Sequence, residues 1–424
     1  MNEKGKHVVI LGSGFASVFA YRQLEKYCDQ VAFRITLISL SDQFLFVPLA
    51  HEVATGSLMP NSITQSLRTL PHCARHRFVM GKACSVDLDE QTVRVERAIL
   101  GKNETLDIPY DYLISAIGST TNFFNTPGAA SHAMTLKTLA DAKKIKNHLI
   151  DTYTYAETLT NAEDRHKALS VVIVGGGPTG VELAGELADY CSDELGHAFP
   201  ELAGLASITI IQGAPRLVPQ MDHWFHDEAH VILKRKGVEV RYDARVTKIE
   251  KDIVYLSDEK IHARTILWTA GVCVCPLELH AKQPLHFEER SGRIKVNAML
   301  QTESYKNAFF LGDQAWVEEK ETGQPYPMRA QFAVRQGIVA GENVYRSITG
   351  RHLQDFHWKD QGFILSLGKG GALAELYGVR FSGVIAWWIY RFAYVTKLIG
   401  IHAKLRTALE WFMDFFAPRD VSRL

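Results

Sequence analysis

The stretch SVVIVGGGPTGVELAGELADY, Ser170–Tyr190, decides the fold because an apolar strand runs into a glycine-rich turn and then into a helical pattern. The turn reads Gly175-x-Gly177-x-x-Gly180. In such a turn the first glycine makes the bend, the second lets a pyrophosphate approach the backbone, and the third lets the helix pack closely on the strand. The stretch therefore predicts a Rossmann-type unit that binds a dinucleotide.

A stretch of the same kind, HVVILGSGFASVFAYRQLEKY at His7–Tyr27, lies nearer the N-terminus. Its turn reads Gly12-x-Gly14-x-x-Ser17, and the serine side chain is small enough to keep the helix near the strand. A single glycine-rich turn can be only a tight connection. Two copies, each between a strand and a helix, predict that one chain binds two dinucleotides at the helix N-termini.

The strand that follows each of these helices usually ends in a carboxylate that binds a ribose hydroxyl. Here the corresponding residues are Ser39 in RITLISLSD and Gln212 in ASITIIQGAPRL, with Arg216 close behind. A hydroxyl discriminates less than a carboxylate, and a neutral carboxamide does not repel a 2′-phosphate. We therefore expect the second unit to use NADH, with NADPH left open.

Small residues after later strands are expected to pass close to a cofactor. They are Ala116 and Gly118 in YDYLISAIGSTTN and Gly271 in ARTILWTAGV. In KNAFFLGDQA, Gly312 and Asp313 directly follow an apolar strand. An aspartate there can accept a hydrogen bond from a ribityl hydroxyl, and a helix N-cap is the alternative.

Composition narrows the class of protein. A chain of 424 residues with 46% apolar residues is expected to form two or three domains. Its 47 basic and 47 acidic residues give zero net charge, which argues against a nucleic-acid binder that relies on a positive field. The N-terminal MNEKGKHVVILG contains no apolar signal segment, so export is not expected.

The cysteines predict a reduced, cytosol-facing protein without a metal site. No C-x-x-C or paired Cys/His spacing occurs, so neither structural zinc nor a disulfide framework is expected. The six cysteines are Cys28, Cys73, Cys84, Cys191, Cys273 and Cys275.

Taken together, these features make the chain resemble the type II NADH:quinone oxidoreductases, within the flavin-dependent pyridine nucleotide-disulfide oxidoreductase superfamily. The resemblance runs from about His7 to the C-terminus. It is most specific in the two glycine turns, FVPLAHEVATGSL (Phe46–Leu58), GPTGVELAGEL, LWTAGV, FLGDQA and RAQFAVRQG (Arg329–Gly337). It implies that the first unit binds FAD, that the second binds NADH, and that electrons pass to a membrane quinone without proton pumping.

The resemblance also assigns candidate catalytic residues. It implies that Ala330 borders the flavin and that Gln331 and Gln336 lie where quinone docks, although Arg335 stands where the family usually has glutamine. Glu182, just past the second turn, is expected to assist proton or quinone handling. The alternative is an ordinary first-turn acid favoured by the helix dipole.

Other residues near these motifs have competing interpretations. Pro48 is expected to pack at the flavin, and a plain loop proline is the alternative. His51 is interpreted as a structural histidine. A dithiol mechanism is disfavoured because no cysteine pair has C-x-x-C or C-x4-C spacing, so Cys273 and Cys275 are interpreted as structural or incidental.

The C-terminal stretch AWWIYRFAYVTKLIGIHAKLRTALEWFMDFF, Ala386–Phe416, is unusually aromatic for a soluble enzyme. Its neighbourhood has no uncharged run near the ~20 residues that a membrane-spanning helix needs. From Arg380 to Leu424 there are seven Lys or Arg against three Asp or Glu. Helical spacing places one apolar set on a single face, with Gly400 as a candidate break. That set is Tyr394, Leu398, Ile401, Leu405, Leu409, Phe412 and Phe416.

This segment is expected to lie in the headgroup region of an anionic membrane. The alternatives are a helix packed on the enzyme's own core and a dimer interface. The resulting prediction is a peripheral protein on the cytoplasmic face of a bacterial inner membrane, with a homodimer left open.

The predicted fold is α/β, with two Rossmann-type dinucleotide-binding domains, the second inserted in the first, and a C-terminal amphipathic helical region that associates with membrane. Residues 1–125 and 286–345 are assigned to the FAD-binding domain, 165–285 to the NAD(P)H-binding domain and 346–424 to the membrane-associating region. The alternative functions are a soluble NAD(P)H-dependent flavoprotein reductase of a protein acceptor and an FAD-containing redox sensor.

Overall fold

The computed structural model describes residues 5–70 and 76–424. The strands are β1 (Lys6–Leu11), β2 (Phe33–Ser39), β3 (Gln43–Leu45), β4 (Thr64–Ser66), β5 (His76–Met80), β6 (Lys82–Asp87), β7 (Thr92–Ile99), β8 (Lys102–Pro109), β9 (Tyr112–Ser115), β10 (Ser119–Thr121), β11 (Ser170–Val174), β12 (Ser207–Ile211), β13 (Val238–Arg241), β14 (Lys248–Glu250), β15 (Ile253–Tyr255), β16 (Lys260–His262), β17 (Thr265–Trp268), β18 (Val272–Val274), β19 (Glu278–His280), β20 (Ile294–Lys295), β21 (Ala308–Phe310), β22 (Ala315–Trp316), β23 (Gly362–Ser366), β24 (Ala372–Leu376) and β25 (Val379–Ser382).

The helices are α1 (Phe15–Glu25), α2 (Ala50–Ala54), α3 (Ala129–His132), α4 (Leu139–Glu157), α5 (Ala162–Leu169), α6 (Pro178–Asp189), α7 (Leu195–Ala198), α8 (His223–Arg235), α9 (Ala330–Ile348), α10 (Val384–Lys397) and α11 (Ile401–Met413). Short 3-10 turns occupy Val47–Leu49, Pro60–Ser62, Leu67–Thr69, Pro200–Leu202 and Gly312–Gln314.

The chain divides into two compact units. Unit 1 comprises Met1–Leu45, Gln65–Thr120 and Val272–Lys359, and unit 2 comprises Phe46–Thr64, Thr121–Gly271 and Asp360–Leu424. The C-terminal region therefore belongs to unit 2 together with the second glycine turn, whereas the sequence suggested a separate region from residue 346. Which cofactor each predicted segment serves stays a prediction.

Unit 1 is built on a five-stranded parallel sheet in the order β21-β9-β1-β2-β5. The central strand β1 is buried along nearly its whole length, as a parallel strand covered on both faces requires. Helices α1 and α9 pack so closely that a Cβ at Gly337 would lie 2.3 Å from the carbonyl oxygen of Ala16. This contact fixes α9 against the helix that follows the first glycine turn.

Unit 2 contains a four-stranded parallel sheet in the order β13-β12-β11-β17. Every residue of the central strand β11 is buried. An antiparallel sheet, β23-β24-β25, leads into α10. The two parallel sheets, with the second encoded between segments of unit 1, confirm the predicted α/β fold with one Rossmann unit inserted in the other.

The aromatic C-terminal stretch forms two helices, α10 and α11, and Gly400 separates them with a φ of +82°. The predicted break is therefore confirmed. Within the described residues, no helix combines the length and apolar character that a bilayer crossing requires.

The free thiols among the described residues belong to Cys84, Cys191, Cys273 and Cys275. Cys28 is disulfide-bonded, which departs from the expectation of a fully reduced set. Cys73 lies outside the described residues.

Candidate nucleotide-binding and redox site

The first glycine turn contains one glycine that the protein itself requires and one that it does not. Gly12 has a φ of +106°, and a Cβ there would lie 2.3 Å from the carbonyl oxygen of Ala116. Gly14 has extended backbone angles, and a Cβ there would meet no atom of the described residues within 4 Å. The space in front of α1 is therefore left open by the chain, as a bound pyrophosphate would need.

Two serines complete this turn. Ser17 is fully buried, and its hydroxyl donates to the carbonyl oxygen of Gly14 at 3.0 Å. Ser39 ends β2, is buried, and its Oγ accepts from the backbone N–H of Ser41 at 3.2 Å. The Ser39 hydroxyl still has a proton to donate, so its predicted contact with a ribose stays a prediction.

The loop that follows β21 is held by hydrogen bonds on both sides. The Ser119 hydroxyl donates to Asp313 Oδ2 at 2.6 Å, which fixes the orientation of that carboxylate. The N–H of Gly312 donates to Gln336 Oε1 at 2.7 Å. Asp313 lies within a 3-10 turn and caps no helix through its side chain, so the N-cap alternative is wrong. Gly118 has a φ of +75°, a conformation that favours glycine.

Helix α9 carries the remaining flavin and quinone candidates. Ala330 is its first residue, and Gln331 beside it is half-buried. Gln336 is buried, and its side-chain oxygen accepts from the N–H of Gly312. It therefore anchors the loop that follows β21. Arg335 is exposed and stacks on the ring of Trp358 at 4.0 Å. The quinone-contact roles of these residues stay predictions.

The second glycine turn likewise contains glycines that packing requires and one that packing does not require. Gly175 has a φ of +110°, and a Cβ there would lie 2.5 Å from Cα of Ala270. A Cβ at Gly177 would meet no described atom within 4 Å, whereas at Gly180 it would lie 2.0 Å from the carbonyl oxygen of Gly175. Unit 2 thus has its own open cradle at the N-terminus of α6.

Gln212 holds this turn in place through two hydrogen bonds. Its buried carboxamide accepts from the N–H of Gly176 at 3.0 Å and donates to the carbonyl oxygen of Arg216 at 2.9 Å. The Arg216 guanidinium lies beside the ring of His223, with Nη1 3.3 Å from Nε2. The neutral carboxamide suits this double role because a carboxylate could accept but not donate.

Two further cofactor candidates have local packing explanations. A Cβ at Gly271 would lie 2.6 Å from the ring of Phe124, so a small residue is needed there irrespective of any ligand. Pro48 lies in the 3-10 turn Val47–Leu49 and is half-buried. Their predicted cofactor contacts stay predictions.

Glu182 is a buried residue in the second turn of α6. The first turn of that helix contains no acid, so the interpretation of Glu182 as a first-turn dipole partner is wrong. Burial raises the pKa of Glu182 to about 8, and the charges of Glu52 and Glu186 contribute, although the backbone N–H of Ser366 opposes this rise. Glu182 is consequently protonated at neutral pH and able to give up a proton.

Sequence reasoning missed the side chains that surround Glu182. Glu186 follows Glu182 by one helical turn, and Glu52 interrupts the apolar segment Phe46–Leu58. Tyr390 and Trp411 were interpreted only as part of an aromatic tail, yet both bind Glu52. His51 is buried, in line with its structural interpretation.

The described residues fit the two cofactors that the resemblance implied. Each glycine turn combines a packing-required glycine with an open one in front of a helix N-terminus, which suits a pyrophosphate. The Asp313 carboxylate, oriented by Ser119, would suit a hydrogen bond from a ribityl hydroxyl. Each unit contains one such glycine turn, and the loop with Asp313 belongs to unit 1.

Comparisons with known proteins agree with this arrangement. Residues 6–337 match the family described as pyridine nucleotide-disulphide oxidoreductase. The chain is 30% identical over 423 residues to the type II NADH:quinone oxidoreductase Ndh of Mycobacterium tuberculosis, covering 97% of this chain and 88% of that protein. It is 28% identical to the demethylphylloquinone reductase NdbB of Synechocystis, covering 97% of this chain and 96% of the relative.

Solved structures share the fold. NDH2 of Plasmodium falciparum in complex with NADH superposes with a TM-score of 0.91 at 19% identity, covering 99% of this chain and 100% of that one. The sulfide:quinone oxidoreductase of Aquifex aeolicus gives a TM-score of 0.67 at 18% identity, covering 97% and 91%. The family match and the full-length relatives confirm the resemblance drawn from the sequence, and the chain belongs to the pyridine nucleotide-disulphide oxidoreductase family and, within it, to the type II NADH:quinone oxidoreductases.

Proposed function

We propose that this chain is an NADH:quinone oxidoreductase that contains FAD and does not pump protons. The observation that carries the proposal is the presence of two open glycine cradles, at Gly14 and Gly177, in one chain of this family. One cradle serves a resident FAD and the other a nicotinamide nucleotide. No cysteine pair in the sequence has the C-x-x-C or C-x4-C spacing of a dithiol centre.

The residues of unit 1 would hold FAD, which when bound accepts a hydride from the nicotinamide and passes two electrons on. Gly14 leaves room for the pyrophosphate, and the first N–H groups of α1 point to it. Asp313 is oriented by Ser119 to accept from a ribityl hydroxyl. Gln336 accepts from the N–H of Gly312 and so fixes the loop that carries Asp313.

The residues of unit 2 would bind the dinucleotide substrate and hold a proton. Gly177 leaves space at the N-terminus of α6, and Gln212 fixes the turn that faces the adenosine ribose. Glu182 keeps a proton at neutral pH. We propose that this proton serves quinone reduction and that Gln331 contributes to quinone binding.

We propose a modest preference for NADH over NADPH. Because Gln212 carries no charge, it does not repel a 2′-phosphate, and Arg216 lies four residues further on. A homodimer is part of the proposal only as an open alternative.

The lipid surface is proposed to be the second partner, contacted through α10 and α11. Large apolar side chains on both helices are exposed, which is unusual unless a surface covers them. They are Val384, Ile385, Trp388, Phe392, Ile401, Leu405, Leu409, Phe412 and Met413, and the exposed Phe416 follows α11. Helices of this kind lie in the interface of a membrane, and a lipid-dissolved quinone requires such docking.

The structure changes two details of the predicted apolar face. Leu398 is buried and Tyr394 is half-buried, so these two residues do not belong to the exposed set. They follow the buried Tyr390 by one and two helical turns, so they lie on the inward face of α10. The predicted positions within α11, by contrast, are all exposed: Ile401, Leu405, Leu409 and Phe412.

The charges of the tail also divide into two groups. Arg391 and Arg419 are buried and serve unit 2 internally. Lys397 and Arg406 are exposed and Lys404 is half-buried, and these three remain available to anionic headgroups. We propose a peripheral position on the cytoplasmic face of a bacterial inner membrane.

Steady-state kinetics test the enzymatic proposal. NADH and NADPH are offered with a short-chain quinone, a long-chain quinone in vesicles and a hydrophilic acceptor. We expect NADH to reduce both quinones with FAD bound. Oxidation of NADH with the hydrophilic acceptor but with neither quinone would contradict the proposal.

Vesicle cosedimentation tests the membrane proposal. Deletion of the tail is a poor test because Arg419 and Trp411 belong to the buried interior of unit 2. The triple variant Leu405→Ser, Leu409→Ser, Phe412→Ser changes only exposed side chains and should release the protein from vesicles. The control is Leu100→Ser, an equally apolar and fully exposed position in unit 1. Equal binding of the triple variant and the control would remove α11 from the membrane contact.

A further inference from the structure

Unit 2 contains a buried polar cluster that lies outside both glycine turns. Its members are contributed by helices far apart in sequence and by the C-terminal tail. They are His51 and Glu52 on α2, Glu182 and Glu186 on α6, Tyr390 on α10, Trp411 on α11 and Arg419. All of them are at most 9% exposed.

Glu52 is the most connected member of the cluster. The Tyr390 hydroxyl donates to its Oε1 at 2.6 Å, and the Trp411 indole N–H donates to its Oε2 at 2.5 Å. The Ser57 hydroxyl lies 3.4 Å from Oε2. Since Tyr390 and Trp411 lie on different helices, one carboxyl fixes the orientation of both C-terminal helices.

A second carboxyl lies close to the first. One oxygen each of Glu52 and Glu186 and a ring nitrogen of His51 lie within 4.8 Å of one another. Arg419 donates to Glu186 Oε2 at 2.8 Å. Two buried carboxylates at this distance repel each other strongly, so the one without a guanidinium holds its proton to higher pH than the other.

The pKa shifts agree with this assignment. Burial pushes the pKa of Glu186 upward, but Arg419 and His51 outweigh this and lower it. Burial raises the pKa of Glu52 to about 7, and Glu186 adds to that rise. Burial lowers the pKa of His51 to about 4, so the imidazole is neutral at neutral pH.

A metal ion does not explain this geometry. His51, Glu52 and Glu186 are spaced like a set of ligands. However, the Glu186 carboxylate already binds the Arg419 guanidinium, whose charge would repel a cation, and both Glu52 oxygens accept from neutral donors. The cluster is therefore satisfied by protons and by its own side chains.

Glu182 faces the same cluster. Glu182 and Glu186 are one helical turn apart and share a face of α6. Tyr390 and Tyr394 are likewise one turn apart on α10, their rings lie 4.6 Å apart, and both interact electrostatically with Glu182 and Glu52. A change of charge at Glu52 is consequently felt at Glu182.

We propose that Glu52 is a positioning residue for Glu182: its carboxyl, fixed between Tyr390 and Trp411, sets the charge that Glu182 meets and thus the pH range in which Glu182 keeps its proton. This inference rests on the proposed function, because quinol formation consumes one proton from water besides the hydride of NADH. The other charged or titratable groups around Glu52 and Glu182 are His51, Glu186, Tyr390, Arg391 and Tyr394, with Asp414 linked to Glu52 through Ser57 and Arg419 bound to Glu186.

The main test is Glu52→Gln in the FAD-containing enzyme. The carboxamide oxygen can accept from the Trp411 N–H and its NH2 group can donate to the Tyr390 hydroxyl oxygen, but the side chain cannot ionise. Without the negative charge that Glu52 acquires above neutral pH, Glu182 loses its proton more readily. The alkaline limb of quinone reduction should move to lower pH by about one unit.

A spectroscopic readout is independent of turnover. In a pH titration followed by infrared difference spectroscopy, the C=O band of the protonated Glu182 carboxyl should disappear at lower pH in Glu52→Gln than in the wild type. Glu182→Gln identifies that band by removing it. This readout remains informative even if the wild type reduces no quinone, so the inference and the proposed function can fail separately.

The matched control is Glu410→Gln. Glu410 is a partly buried acid on α11 that binds Ser62 and the N–H of Met59. It should leave both the pH limb and the infrared band in place. Equal shifts in Glu410→Gln and Glu52→Gln would show general loosening of the helices and overturn the proposal.

A second variant, Tyr390→Phe, covers the case in which Glu52→Gln does not fold. Loss of the hydroxyl removes a donor that stabilises the Glu52 carboxylate, so Glu52 becomes charged only at higher pH. Glu182 then meets less charge, and its band should disappear at slightly lower pH. An unchanged band, or a shift to higher pH, would contradict the proposal.

Discussion

The two glycine turns follow the same chain path but fill the space behind the helix differently. In unit 2, Gly180 has no room for a side chain because the carbonyl oxygen of Gly175 occupies it. In unit 1, Ser17 stands at the equivalent position and uses its hydroxyl to bind the Gly14 carbonyl oxygen. At the third position of the turn, the chain therefore has either no side chain or a small side chain with a hydrogen-bond partner.

The middle glycines teach the opposite lesson. Gly14 and Gly177 both have extended backbone angles that any residue adopts, and both face space that no described atom occupies. Their identity is not explained by folding. The glycines are explained by a ligand that approaches the backbone so closely that a side chain would block it.

The largest effect is expected for Gly180→Ser in unit 2. The new side chain would collide with backbone, which cannot move without displacing α6 from β11. We expect unit 2 to lose about 3 kcal/mol of unfolding free energy, measured by urea denaturation. A loss below that of the control Gly204→Ala, at a surface position with a φ of +75°, would show that the second turn tolerates serine as the first one does.

Gly14→Val should separate folding from cofactor binding. The backbone of Gly14 accepts valine, so the urea midpoint of the flavin-free protein should be nearly unchanged. The isopropyl group would enter the space meant for a pyrophosphate, and FAD affinity should fall by at least about tenfold, or about 1.4 kcal/mol. Flavin absorbance after gel filtration measures this, with Gly177→Val as the matched variant that should retain FAD and lose NADH affinity. Full flavin occupancy in Gly14→Val would contradict the assignment.

How far the sequence could lead depends on whether a feature is local. The strands β1 and β11, both turns and the break at Gly400 were predictable because neighbouring residues determine them. The network around Glu52 was not, since Glu186, Tyr390 and Trp411 reach it only through tertiary packing. No periodicity in one sequence connects α2 with the C-terminal tail.

The apolar tail shows the same limit from another side. Helical spacing found the exposed positions of α11, but it also placed Leu398 on that face, where the structure buries it. Gly400, with a positive φ, separates α10 from α11. A single helical wheel therefore does not describe the residues on both sides of it. The roles of Arg391 and Arg419 were hidden for a related reason, because a charge count cannot distinguish buried from exposed arginines.

Gln212→Glu compares the ends of β2 and β12, where a ribose is predicted to bind and where unit 1 has Ser39. A carboxylate can still accept from Gly176 N–H but cannot donate to the Arg216 carbonyl oxygen, so unit 2 should lose about 1 kcal/mol. The added charge should repel a 2′-phosphate and raise the NADH to NADPH ratio of kcat/KM by about tenfold, equivalent to 1.4 kcal/mol. An unchanged ratio would show that another residue discriminates between the nucleotides.

The smallest effect is expected for Ser17. Its substitution tests whether a glycine at this position, as in the second turn, would make the first turn more stable. If a glycine were intrinsically better at this position, Ser17→Gly would be neutral or stabilising. The structure argues otherwise, because the buried Ser17 hydroxyl donates at 3.0 Å to the Gly14 carbonyl oxygen, in addition to the bond from the Val18 N–H at 3.1 Å. Ser17→Ala should remove that bond and cost about 0.5 kcal/mol, because the Gly14 carbonyl oxygen keeps its bond from Val18. Ser17→Gly should cost about 0.5 kcal/mol more, since glycine within a helix is less favourable than alanine. Flavin release on urea unfolding reports on unit 1 alone, and the order wild type, alanine, glycine in the release midpoint is the expected result. If Ser17→Gly released flavin at the same urea concentration as the wild type, the hydroxyl would contribute nothing and the two turns would be equivalent in energy as well as in path.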